Sequence, residues 1–194
     1  MSEMPEVFFL DTNAYAMIFQ NPPPLGLSQL QLKINNGGVM EFFLPEIVSM
    51  EIHSVLGKYR RGGASTRHEQ CTKEILLDTA FSNCSHTCVF RGRNRMKIKV
   101  YRAFLKILDD IENKRGYIRG EIVPTIRPHL QLAKDLLIKY ADRYAFGSHD
   151  AMVAGVVKEA RSRGVNGLLV TSDKALKAVC NDEGIPTFDP ALFN

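Results

Sequence analysis

Apolar runs that lead to an acidic residue recur along this chain, with stretches of helical spacing between them. Val7-Phe8-Phe9-Leu10 stops at Asp11, and Leu168-Leu169-Val170 leads through Thr171 and Ser172 to Asp173. Short, wholly apolar runs with β-branched or aromatic residues read as buried strands. Strands alternating with helices imply a parallel sheet covered on both faces. In such sheets ligands gather beyond the carboxyl ends of the strands, where Asp11 and Asp173 fall.

Val39 to Leu44 reads as another strand, and 184–188 as a short last one, confined to an edge by Pro186. Helical spacing is expected from Asn13 towards Phe19, and from Leu27 to Ile34 before the stop signal Asn35-Asn36-Gly37-Gly38. A helix entered at Pro45 should close at Arg60-Arg61-Gly62-Gly63. Further helices are expected over Thr66 to Phe81, Met96 to Lys114 and Leu130 to Tyr144. The helix carrying Asp150 should end at Arg163-Gly164, and Ser172 should cap one running from Lys174 to Asn181. Gly116 to Pro128 reads as a connection, because Pro124 and Pro128 restrict regular structure.

At 194 residues, 45% hydrophobic and 24% charged, the chain fits a single globular domain over 1–194, with a helical, basic middle segment near 85–128. Its net charge of +4 permits a polyanionic partner without requiring one. Met1-Ser2-Glu3-Met4-Pro5-Glu6 is polar and acidic, unlike a secretory signal, and no apolar window reaches the length of a membrane span. A cytoplasmic setting with reduced thiols is therefore expected for Cys71, Cys84, Cys88 and Cys180. Cys84 and Cys88 have no second ligand pair that would complete a zinc site.

Asp11, Glu51, Asp150 and Asp173 are too widely spaced to form a local charge run. If the fold gathers them, they make an oxygen-rich pocket for Mg²⁺ or Mn²⁺, suited to phosphodiester hydrolysis. Taken singly, each has an ordinary alternative. Asp11 is also a turn residue capping the next helix, Asp150 and Asp173 are also favourable first-turn charges, and Glu51 is also a solvated helix residue with Glu46 as a rival. Thr12, Asn13 and Ser172 can hydrogen-bond those carboxylates or serve as ordinary caps. His53, His68, His86, His129 and His149 show no pairing that would suggest acid–base cleavage without a metal.

Taken together, these contexts resemble the PIN domain, a family of metal-dependent nucleases that includes the VapC-like toxins. Asp11-Thr12-Asn13 after the first strand is similar to the family's opening motif. Phe43 to Ile52 resembles its strand–proline–helix segment, and this selects Glu51 over Glu46. Asp150-Ala151-Met152-Val153-Ala154 is similar to its third motif, and Leu169 to Lys174 to its last. The resemblance implies a three-layer α/β/α fold with a central, mostly parallel sheet. It also implies an Mg²⁺- or Mn²⁺-dependent endoribonuclease leaving a 5′-phosphate and a 3′-hydroxyl. The toxin of a toxin–antitoxin pair, with an antitoxin partner and a homodimer, is the narrower implication. A non-catalytic RNA- or protein-binding module on the same fold is the alternative, and a phosphatase or DNA nuclease would use the same metal chemistry.

The densest basic stretch comprises Arg91, Arg93, Arg95, Lys97, Lys99, Arg102 and Lys106, and no acidic residue interrupts 85–108. Such a stripe suits the phosphates of RNA. It also suits a solvated helix face or an antitoxin-binding surface.

Overall fold

The computed structural model describes residues 6–20, 24–36, 38–63, 67–70, 74–77, 80–83, 87–90 and 94–193. The chain divides into two compact bodies, one made of Met1–His53 with Phe104–Asn194, the other of Ser54–Ala103. Its elements are β1 (Val7–Leu10), α1 (Thr12–Met17), α2 (Leu25–Ile34), β2 (Asn35–Asn36), β3 (Val39–Pro45) and α3 (Glu46–Arg61). Then come β4 (Arg67–Gln70), β5 (Glu74–Leu77), β6 (Ala80–Asn83), β7 (Thr87–Phe90) and α4 (Ile98–Glu112). The chain continues with β8 (Ile118–Val123), α5 (Arg127–Tyr140), α6 (Ser148–Ser162), β9 (Gly167–Val170), α7 (Lys174–Asp182) and β10 (Thr187–Phe188).

The larger body is built on parallel strands in the order β10-β9-β1-β3-β8. β8 pairs with β3 from Met40↔Ile118 to Pro45↔Val123. β1 and the antiparallel β2 therefore share the other edge of β3, at Phe9↔Phe43 and Asn35↔Met40. The central strands are continuous apolar runs because both of their faces are covered: β9 is buried at every residue. On one face Phe42 meets Tyr15 of α1, and Phe19 meets Phe104 of α4. On the other, Val7, Phe9 and Phe43 share a cavity of about 130 Å³ with Val156 and Ala160 of α6. The result is the PIN-like three-layer α/β/α architecture with a mostly parallel sheet.

Two expectations need correction. Gly116 to Pro128 is not merely a connection, because Ile118–Val123 forms β8. Its β-branched Ile118, Ile122 and Val123 suit a sheet position, and both prolines lie beyond it. Nor are the described residues of the expected helix over Thr66 to Phe81 helical. They form β4, β5 and the start of β6, with β4 paired to β7 and β5 to β6. Short apolar runs such as Ile75-Leu76-Leu77 carry no decisive period, and cross-strand pairing prevails. These four strands belong to the smaller body, where the Met96 amide also donates to the Tyr59 carbonyl at 2.9 Å.

The small residues of α6 serve a neighbouring helix as well as the sheet. A side chain at Gly155 would meet the His129 carbonyl oxygen at 2.9 Å and the Ala133 amide at 3.3 Å, so α5 and α6 pack backbone to backbone there. Gly164, at φ +89, ends α6 in the left-handed conformation that glycine adopts without strain. Among the described residues no helix is long and apolar enough to cross a membrane.

Candidate active site

The sheet topology makes the crevice. From β1 the chain crosses to β3 on one side and later returns to β9 on the other, so the carboxyl end of β1 is a topological switch point. Leu10 lies opposite Val170, so Asp11 and Thr171 leave their strands side by side. The Asp11 amide donates to the Val170 carbonyl at 3.1 Å, and the Thr171 hydroxyl donates to Asp11 Oδ2.

Asp11 is the N-cap of α1, its Oδ1 accepting from the Ala14 amide at 2.7 Å. Only 4% of it is exposed. Burial pushes its carboxyl up to about 6, against the lowering effect of the Ala14 and Thr171 hydrogen bonds, and the charges of Asp150 and Asp173 push the same way as burial. Asp173 is the N-cap of α7. Its Oδ1 accepts from the Leu176 amide at 2.8 Å, and its own amide donates to Thr171 Oγ1 at 3.1 Å. Asp150 stands in the first turn of α6, where its Oδ2 lies 3.4 Å from the Gly147 amide nitrogen. The local roles open to the three aspartates as isolated residues are thus real, and they are what orients the carboxylates.

Glu51 arrives from inside α3 rather than from a helix end. Its Oε2 accepts from the Thr12 hydroxyl at 2.5 Å and lies 2.8 Å from His149 Nε2. His149 Nδ1 in turn lies 3.8 Å from Asp150 Oδ1. Burial alone would lower the His149 pKa, but the neighbouring carboxylates of Asp150 and Glu51 outweigh it and raise it. Glu46 is occupied elsewhere: its Oε2 accepts from the Thr125 amide at 2.8 Å, beyond β8.

Asp11 is therefore coupled to Asp150 and Asp173, while Thr12 and His149 link Glu51 to Asp150. Asn13 is exposed on α1. Ser172 does not cap α7, because Asp173 does. The Ser172 hydroxyl instead donates to Asp189 Oδ1 at 2.8 Å, beside the Lys177–Asp189 ion pair. Thr171 and His149 were not legible as site residues. The first could have been found by aligning the ends of the two apolar strands. The second adjoins Asp150, and helix neighbours do not face each other, yet from this first turn it reaches across to Glu51 on α3.

The basic candidates lie apart in the sequence. Arg95 and Lys97 precede α4, Lys99 and Arg102 lie on its first turns, and all four are exposed within the smaller body. Arg91 and Arg93 lie outside the described residues, as do Cys71, Cys84 and His86. Cys180 is free and buried on α7.

Among the described residues no three His, Cys, Asp or Glu side chains stand close enough to enclose a metal ion. Mg²⁺ does not need such an enclosure: it binds through one or two carboxylates and keeps several waters. The donor set fits that mode. Every carboxylate donor is a hard oxygen, and Asp11 is a buried carboxyl under the like charges of Asp150 and Asp173, which a cation would relieve.

No protein-family model and no curated protein matches the chain. In three dimensions it is similar to the crystal structure of FitAcB from Neisseria gonorrhoeae. The TM-score is 0.56 at 14% identity, over 95% of this chain and 99% of that one. At that identity the likeness is one of fold.

Proposed function

We propose that the chain is a metal-dependent endoribonuclease. The observation that carries the reading is Asp11, buried at the switch point and facing the charges of Asp150 and Asp173. Asp11 and Asp150 would hold Mg²⁺ or Mn²⁺, with Asp173 and Glu51 completing the acidic set directly or through water. The cation would supply neutralising charge and an activated water for attack on a phosphodiester. Thr171 would keep Asp11 aimed, and Thr12 would keep Glu51 aimed, so that neither carboxylate has to be reorganised when substrate arrives. Arg91, Arg93, Arg95, Lys97, Lys99 and Arg102 would bind RNA phosphates, with affinity falling as salt rises. A cytoplasmic toxin blocked by an antitoxin protein, and acting as a homodimer, is the biological setting that this reading favours.

A second reading, a non-catalytic binding module, is favoured by the absence of an enclosed three-ligand cluster among the described residues. Labelled single-stranded RNA separates the two. Cleavage with Mn²⁺, abolished by EDTA and leaving 5′-phosphate ends, supports the nuclease. Cyclic phosphate ends refute the proposed chemistry, and absence of both cutting and Mn²⁺-induced thermal protection supports the module.

A further inference from the structure

Glu51 differs from the three aspartates. They are fixed by backbone amides at helix starts, whereas Glu51 lies inside α3 with its side chain 39% exposed. A glutamate so placed is free to sample several rotamers unless something holds it. Two side chains from two other helices do so. The Thr12 hydroxyl and the His149 imidazole both converge on Oε2, at 2.5 Å and 2.8 Å, so Oε1 is used in neither contact. The imidazole is itself held. Its side chain is 27% exposed, and Nδ1 faces Asp150 Oδ1 at 3.8 Å.

We propose that His149 is a positioning residue: it clamps Glu51 to the acidic set and so sets the affinity for the divalent cation. The inference rests on the metal-dependent reading above. The fold itself has little use for this contact. A partly exposed polar bridge contributes little to stability, and α6 is already anchored by buried Ala151, Val153, Ala154 and Val157. What the bridge does fix is the place of one carboxylate. Partners that orient a ligand typically change metal affinity by roughly 10- to 100-fold when removed.

The test is Mn²⁺ titration, by calorimetry, of the metal-free protein and of His149→Ala, His149→Gln, Glu51→Gln and the double variant His149→Ala/Glu51→Gln. His149→Ala should weaken Mn²⁺ binding by about tenfold. His149→Gln, which keeps an N–H donor, should recover most of that loss. In the Glu51→Gln background, His149→Ala should cost nothing further, because the residue acts through Glu51. Wild-type affinity in His149→Ala overturns the inference while leaving the metal site intact. An equal loss in both backgrounds also overturns it, since His149 would then act directly or elsewhere. Absence of Mn²⁺ binding by the wild type overturns the metal-dependent reading, and the inference with it.

Discussion

Replacing Asp11 by Asn should stabilise the metal-free protein, although the same change should abolish its activity. The carboxyl is 4% exposed, and burial raises its pKa from 3.8 to about 6. Folding therefore works against its ionised form. A shift of roughly two units corresponds to about 3 kcal/mol of cost at neutral pH. Because the folded pKa is raised, the folded state is favoured below the unfolded pKa, and that advantage is lost as pH rises from about 4 to about 6. Asparagine removes the charge and keeps an oxygen to accept from the Ala14 amide. Its NH₂ would face Thr171 Oγ1, which must then turn from donor to acceptor while still serving the Asp173 amide. That adjustment costs about 1 kcal/mol. The net gain is about 2 kcal/mol, or about 4–8 °C in melting temperature for a chain of this size. The assay is thermal unfolding in EDTA at pH 8 and again at pH 4. The variant should melt higher at pH 8, and the difference should shrink at pH 4. Added Mn²⁺ should stabilise the wild type and not the variant. An Asp11→Asn protein that melts lower than wild type in EDTA at pH 8 would refute the argument that this carboxylate is held against its own desolvation.

Three other outcomes follow from separate parts of the structure. Glu183 has a side chain 6% exposed and accepts from Lys139 Nζ and the Tyr140 hydroxyl, each at 2.6 Å, and it also pairs with Lys158. Burial would raise its pKa, but those partners lower it from 4.5 to about 2. Its stabilisation is present above about 4.5 and is lost as pH falls towards 2, so acid unfolding of Glu183→Gln should show a shallower pH dependence in that window. Screening of the exposed lysines limits the neutral-pH loss to about 1–2 kcal/mol. The hydroxyl of fully buried Tyr15 finds no hydrogen-bond partner among the described residues. Tyr15→Phe should therefore raise stability by about 1 kcal/mol in denaturant unfolding, and a loss would indicate a satisfied group. Charge reversal at Lys99 and Arg102 should weaken RNA binding and reduce its salt slope by about two, and an unchanged slope would remove these residues from the RNA contact.

The fold was most legible where the sheet is buried on both faces. Phe8 to Leu10 and Leu168 to Val170 carry the apolar runs of central parallel strands, and Asp11 and Asp173 mark their carboxyl ends. β8 was hidden because, among the described residues, it pairs with β3 on one side only. Its alternating Arg119 and Glu121 dilute the apolar signal, and the flanking prolines suggest a loop. The strands within 67–90 were hidden for the opposite reason, since runs such as Ile75-Leu76-Leu77 suit either period. In the candidate site, the carboxylates and Thr12, which donates to Glu51, could be named from their contexts, but Thr171 and His149 could not. Thr171 reaches Asp11 through strand register, and His149 reaches Glu51 through the placing of α6 against α3. Both are long-range facts that no local pattern encodes. Ser172 shows the converse: a good cap residue was displaced by Asp173 one position later, leaving Ser172 to hold Asp189.

The most direct test of the central claim compares wild type with Asp150→Asn on labelled single-stranded RNA, each with Mn²⁺ and with EDTA. The Asp150 side chain is 31% exposed rather than part of the core, so the variant should fold as the wild type does. The account predicts cutting by wild type with Mn²⁺ and by neither protein in EDTA, with the variant slower by at least about 100-fold. Equal cutting by the two proteins with Mn²⁺, or undiminished cutting by wild type in EDTA, would contradict it.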